Sequence, residues 1–363
     1  MTGPVDWDLA QRVATRIADR TGAKPGAHYD TLAPDFERFT AQAEELVATE
    51  TGLHSLSGEA RARVADRPMW IGANIDSFQR LLRPVTDKFG EKMTRARMSS
   101  FTSRAGGVEV GVLLGWMSSR VLGQYDLLII EDENPEDQDI VYYVGPNIMA
   151  LEKKHAFPPE EFRLWIALHE VTHRAQFTGV PWLREHFLSL VNETLDAVDP
   201  DPEILKDAVK RILEARREGE DPMADGGLPA LLATPEQREV LNRVSGMMSL
   251  LEGHGDITMD RAGAHLIPSA ERFASTLRAR RNSARGISRV LQKVIGLEAK
   301  MNQYQAGESF IEAVEAVGGT ELVERAWERP ENLPTMDEIR TPQDWIDRIS
   351  ADSADMAVAT GAS

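Results

Sequence analysis

The segment Leu168-His-Glu-Val-Thr-His173 sets two imidazoles four residues apart with a carboxylate between them. On a helix, residues i and i+4 stand one turn apart on one face, so His169 and His173 can grip a single metal ion. The chain has no cysteine, so any metal must sit on nitrogen and oxygen, and imidazole with carboxylate suits zinc. Glu170 is placed to act as general base toward a zinc-activated water and to return the proton to a leaving nitrogen. The chemistry implied is hydrolysis of a peptide or small amide bond. The competing reading of these three fixed positions is a plain helix carrying two partly buried histidines.

A catalytic zinc needs a third protein ligand and an open fourth position. Downstream, Leu250-Leu-Glu-Gly-His-Gly-Asp256 offers Glu252 and, one turn later on the same face, Asp256. Glu252 is the expected third ligand, and Asp256 the acceptor for the free N–H of a ligand histidine, a contact that fixes tautomer and orientation. H-E-x-x-H followed by a glutamate, with an aspartate one turn on, is the gluzincin pattern. Met247, Met248, Leu250 and Leu251 precede the pair and speak against a solvated acidic face. His254 is the rival ligand, although it turns away when Glu252 turns inward. A metzincin pattern is absent, because Arg174-Ala-Gln-Phe-Thr-Gly179 follows His173.

Weaker candidates surround this set. Tyr304, in Lys300-Met-Asn-Gln-Tyr304, is a candidate hydrogen-bond donor to an oxyanion, with a buried core tyrosine as the alternative. Arg278, Arg280, Arg281, Arg285 and Arg289 lie in a helical stretch from Arg272 to Lys300, and either hold a substrate carboxylate or pair with the chain's own acids. His186 and His265 read as surface or capping histidines.

The elements that must position these residues are mostly helices, with apolar residues in a 3.6-residue rhythm. Pro158 and Pro159 open the helix with the two histidines, and Gly179 with Pro181 closes it. Phe162, Trp165 and Ile166 share the histidine face, so the imidazoles are expected inside. Two apolar runs, Tyr125–Ile130 and Ile140–Val144, flank the turn-rich Glu131–Asp139 and read as a β-hairpin whose edge lies beside that helix. Such an edge can align an extended peptide by strand addition. A polar loop from Arg217 to Pro229 precedes a capping box at Thr234-Pro-Glu-Gln237, from which a helix runs past Glu252 and Asp256.

Composition bounds the partners. With 42% hydrophobic and 27% charged residues the chain is an ordinary globular one. A net charge of −17 repels phosphate backbones and anionic membrane surfaces alike, which argues against nucleic acid and membrane partners. Neither a secretory signal nor a bilayer-spanning run is read, and a cytoplasmic address is expected. We expect one domain over 1–350, made of an N-terminal helical part (1–65), the hairpin and H-E-x-x-H helix (66–180) and a helical part with the third ligand (181–350). A flexible tail covers 351–363. Oligomeric state is not legible.

His169-Glu-Val-Thr-His173, Leu251-Glu-Gly-His-Gly-Asp256 with Met259-Asp260, Lys300-Met-Asn-Gln-Tyr304, Asn332-Leu-Pro-Thr335 and Pro342-Gln-Asp-Trp345 together resemble a family of zinc-dependent metalloproteases found mainly in actinobacteria. The likeness runs from about Trp70 to Trp345. Members are often labelled as associated with biosynthesis of the deazaflavin coenzyme. The resemblance implies a mainly α (α+β), zincin-like helical body with a small antiparallel hairpin beside the H-E-x-x-H helix, and a hydrolase. It supplies no substrate. Two alternatives stay open: a zinc-stabilised scaffold without turnover, and an amidohydrolase of deazaflavin coenzyme metabolism anchored by the arginine-rich helix.

Overall fold

The computed structural model describes residues 5–20, 31–83, 100–127, 139–196, 235–282 and 297–361. Along the chain come α1 (Trp7–Arg20), α2 (Leu32–Thr51), β1 (Arg61–Ala65), α3 (Arg67–Leu81), α4 (Ser100–Ser118), β2 (Gly123–Tyr125), β3 (Ile140–Val144), α5 (Gly145–His155) and α6 (Pro159–Gly179). Then follow α7 (Leu183–Asp196), α8 (Pro235–Gly263), α9 (Ala270–Asn282), α10 (Leu297–Glu324), α11 (Met336–Arg340) and α12 (Pro342–Gly361). The architecture is mainly helical with one small sheet, as expected. Two compact units divide the chain: Met1–Gly179 with Thr258–Asn282, and Val180–Ile257 with Ser283–Ser363.

In the first unit β3 is the central strand, parallel to β1 and antiparallel to β2. Every residue of Ile140-Val-Tyr-Tyr-Val144 is buried, because alternate side chains enter different cores. Val141 and Tyr143 join Phe36, Phe39, Phe162 and Val171, between the sheet and the helices α2 and α6. Ile140, Tyr142 and Val144 join Trp70, Ile71 and Leu114 on the other side. Tyr143 stacks on Phe36 at 4.0 Å and its hydroxyl meets Thr40 Oγ1 at 2.7 Å. Burial pushes its ionisation well above the ordinary tyrosine range, so it stays neutral.

The expected hairpin exists as the β2–β3 pair, with Tyr125 opposite Val141, but its first strand starts at Gly123 and ends at Tyr125. Residues 128–138, which include most of the run assigned to that strand and its turn, lie outside the described residues. Strand β1 was not read at all, and it makes the sheet mixed rather than purely antiparallel. Arg61-Ala-Arg-Val-Ala65 alternates charge with small residues, and its partner lies far along the chain.

Helices α1 and α4 cross at short range: Ala10 and Ala14 of α1 are fully buried, and a Cβ on Gly111 or Gly115 would strike the carbonyl of Ala10 or Ala14. In the second unit α8 and α10 touch through backbone, since a Cβ on Gly253 would strike Gly307, and one on Gly307 the carbonyl of Ser249. The Asn332–Thr335 and Trp345 segments prove structural: the buried Trp345 donates its indole N–H to Asn332 O at 2.8 Å, and Thr335 with Glu338 forms a capping box for α11. Helix α12 runs to Gly361, through most of the segment expected as a tail. The loop 217–229 and the box at Thr234 lie outside the described residues.

Candidate metal centre

Helix α6 begins and ends where its prolines and glycine predict, with Phe162 N–H donating to Pro158 O at 3.0 Å. Its inward side is anchored by Phe162, Ile166, Leu168 and Val171, all nearly inaccessible. His169 and His173 stand one turn apart with ring centroids 4.7 Å apart and planes at 84°. Both imidazoles are half-buried rather than interior as expected. Deep burial on this helix falls instead to the positions between and behind them, Glu170, Thr172, Arg174 and Gln176.

On α8, Met247, Leu250 and Leu251 are buried and Glu252 is half-buried, while Met259 packs in the same core as Phe162 and Leu168. One donor atom from each of His169, His173 and Glu252 lies within 4.8 Å of the others. Nitrogen and oxygen donors about 2.0–2.2 Å from a tetrahedral zinc stand roughly 3.4 Å apart, so small side-chain rotations bring these three onto one ion. The residues present therefore fit zinc, and they are the three singled out by spacing. His254 is not in this group; its ring lies edge-on to Trp327 at 5.2 Å. Asp256 is half-buried one turn after Glu252. Tyr304 lies in α10, and its side chain is outside the described residues, as are those of Arg280, Arg281, Arg285 and Arg289.

Three neighbours of the histidines went unread in the sequence. Gln176 Oε1 lies 3.0 Å from His173 Nδ1. Arg174 is 1% exposed and spreads its guanidinium over Asp139, Glu44 and the carbonyl of Gly58. Gly123 approaches Glu170 so closely that a Cβ there would sit 2.5–2.7 Å from the side chain's Cγ, Cδ and Oε1. The first two follow from the i+1 and i+3 positions after His173; the third needs the strand-to-helix distance, which no local pattern carries.

The remaining sequence candidates divide cleanly. His265 is exposed, whereas His186 is half-buried and edge-on to Trp182 at 6.0 Å, and burial lowers its affinity for a proton. Of the described arginines of α9, Arg278 pairs with Glu271 at 3.1 Å, and Arg272 donates to the carbonyl of His155 at the end of α5. Both serve the chain's own structure.

The Gly123 contact yields a sharp expectation. Gly123→Ala would force the Glu170 carboxylate aside, and with Glu170 in the role of base expected from the sequence, misplacing it by about 1 Å would cost on the order of 10²-fold in rate. We expect turnover to fall by at least about tenfold while bound metal is unchanged and stability drops by about 1–3 kcal/mol from overpacking. Steady-state kinetics beside metal analysis and thermal melts checks this, and activity within twofold of wild type would refute it.

Residues 5–346 match the family model described as Zincin-like metallopeptidase. Among curated proteins no match is found. Among solved structures, the chain is similar to the crystal structure of a "putative hydrolase with a novel fold" from Chloroflexus aurantiacus, at 33% identity and a TM-score of 0.69, over 95% of this chain and 99% of that one. No described helix is long and apolar enough to cross a membrane. With the family match reaching from α1 to α12, over the H-E-x-x-H helix and the helix of Glu252, the chain belongs to the zincin-like metallopeptidase family.

Proposed function

We propose that this chain is a zinc-dependent hydrolase that cleaves a peptide or amide bond, with His169, His173 and Glu252 as metal ligands and Glu170 as general base. The observation that carries the reading is the convergence of two imidazole nitrogens and one carboxylate oxygen within 4.8 Å, with Glu170 on the same turn of α6 as the histidines. Bound zinc would supply Lewis acidity, lowering the pKa of a water and polarising a carbonyl. Glu170 takes the proton of the attacking water and gives it to the leaving nitrogen. Its near-complete burial beside Gly123 keeps the carboxylate aimed by packing rather than by solvent. Strand β2, one of the two edge strands of the described sheet and packed on α6, supplies backbone for an extended substrate. Asp256 is proposed as an acceptor for a ligand imidazole N–H, and a cytoplasmic site of action accompanies the reading.

The test is elemental analysis of wild type and Glu252→Ala, together with a peptide-library cleavage assay before and after chelation. We expect about one zinc per wild-type chain, loss of most of it in Glu252→Ala because two ligands rarely hold zinc, and cleavage abolished by chelator and restored by zinc. Stoichiometric zinc with no cleavage of any peptide or amide would favour the scaffold reading. Absence of zinc after supplementation would sink both.

A further inference from the structure

We propose that Gln176 is the positioning residue for His173: its amide oxygen takes the Nδ1 proton, fixes the tautomer and leaves Nε2 as the donor toward the metal. This rests on the metallohydrolase reading and deepens it. The two side chains are one turn apart on α6, with Oε1 3.0 Å from Nδ1, an ordinary hydrogen-bond length. Gln176 is fully buried, so its amide has no water to turn to, and a broken bond would leave a desolvated polar group behind.

The chemistry follows from proton counting. A neutral imidazole carries one N–H, and a ligand nitrogen must be unprotonated. An acceptor at Nδ1 places the proton there and exposes the lone pair at Nε2, which makes His173 ready for the metal without a tautomer change. The opposite orientation of the amide, with its NH₂ group donating to Nδ1, would put the proton on Nε2 and block ligation.

Full-length chain with ¹⁵N-labelled histidine, studied before and after zinc addition, tests the proposal through long-range ¹H–¹⁵N correlations, with His173→Ala assigning the signal. Zinc affinity is measured in parallel by competition with a chromophoric chelator. We expect His173 in the Nδ1–H form without zinc, a mixture of tautomers in Gln176→Leu, and zinc binding weakened about 10- to 100-fold in that variant. Gln176→Glu keeps the acceptor and should keep the tautomer and hold zinc within about tenfold of wild type; this rescue separates positioning from mere loss of core packing. An Nε2–H form in wild type, or unweakened zinc binding in Gln176→Leu, would overturn the proposal. Failure of wild type to take up zinc would instead remove the metallohydrolase reading, and the tautomer of the zinc-free chain would still decide the hydrogen bond.

Discussion

Glutamine at position 170 is expected to leave zinc bound and to lower kcat by about 10²–10⁴-fold, the range spanned by loss of a general acid–base group. The substitution is isosteric, so the packing against Gly123 that fixes the side chain survives. An amide can accept a hydrogen bond from water, yet it cannot take its proton, so the step proposed to rely on Glu170 would lose its base. The proposed ligand group contains His169, His173 and Glu252 and not Glu170, so metal content should match wild type. Single-turnover kinetics on the peptide found by library screening, beside elemental analysis of the same preparation, makes the check. Retained zinc with kcat within threefold of wild type would show that the base lies elsewhere. Loss of zinc would show that Glu170 contributes to the metal site itself.

The clarity of this expectation reflects where the information sits in the chain. Helix α6 was legible because its signals are local: proline at its start, glycine at its end and a four-residue spacing inside it. Helix α8 was legible through the start signal Thr234-Pro-Glu-Gln237 and the apolar residues before Glu252, and it begins at Pro235. The candidate ligands followed from spacing on two separate helices, and donor atoms of the same three residues lie within 4.8 Å of one another in the fold.

What stayed hidden depends on contacts between distant segments. Strand β1 pairs with β3 from far away in sequence, and its alternation of arginine with small residues carries no strong strand signal. Gly123 carried no signal in the sequence, because its closeness to Glu170 comes from the packing of β2 on α6. Gln176 stood in plain view, but the segment after His173 was read only for the histidine it lacks. Half-burial of the imidazoles was missed for a related reason: apolar residues one or two turns upstream mark the helix face, while the exposure of its far end depends on what packs there. Tyr304 and the distal arginines keep their readings from sequence alone.

Replacing Arg174 by leucine is expected to lower stability by about 3–5 kcal/mol, the usual cost of removing one member of a buried ion pair. The residue follows His173 directly, yet it points to the opposite side of α6, where it does structural service. Its Nε bridges both oxygens of Asp139 at 3.0 and 3.1 Å, and its terminal nitrogens reach Glu44 Oε1 at 2.5 Å and Gly58 O at 2.7 Å. Through these bonds one side chain joins α6 to α2, to the turn before β1 and to the residue just before β3. Asp139 takes a left-handed conformation, φ 54°, that aspartate tolerates better than most residues, which is how its carboxylate turns toward the guanidinium. Leucine would fill part of the volume and leave Asp139 and Glu44, only 15% and 24% exposed, facing each other without a cation. At roughly 2–4 °C per kcal/mol for a unit of this size, the melting temperature should fall by roughly 6–20 °C. Adding Glu44→Gln to Arg174→Leu should recover part of the loss, because one of the two stranded charges is gone. A melt within about 2 °C of wild type would mean that solvent reaches the cluster and that the bonds around Arg174 contribute little to holding α6 against the sheet.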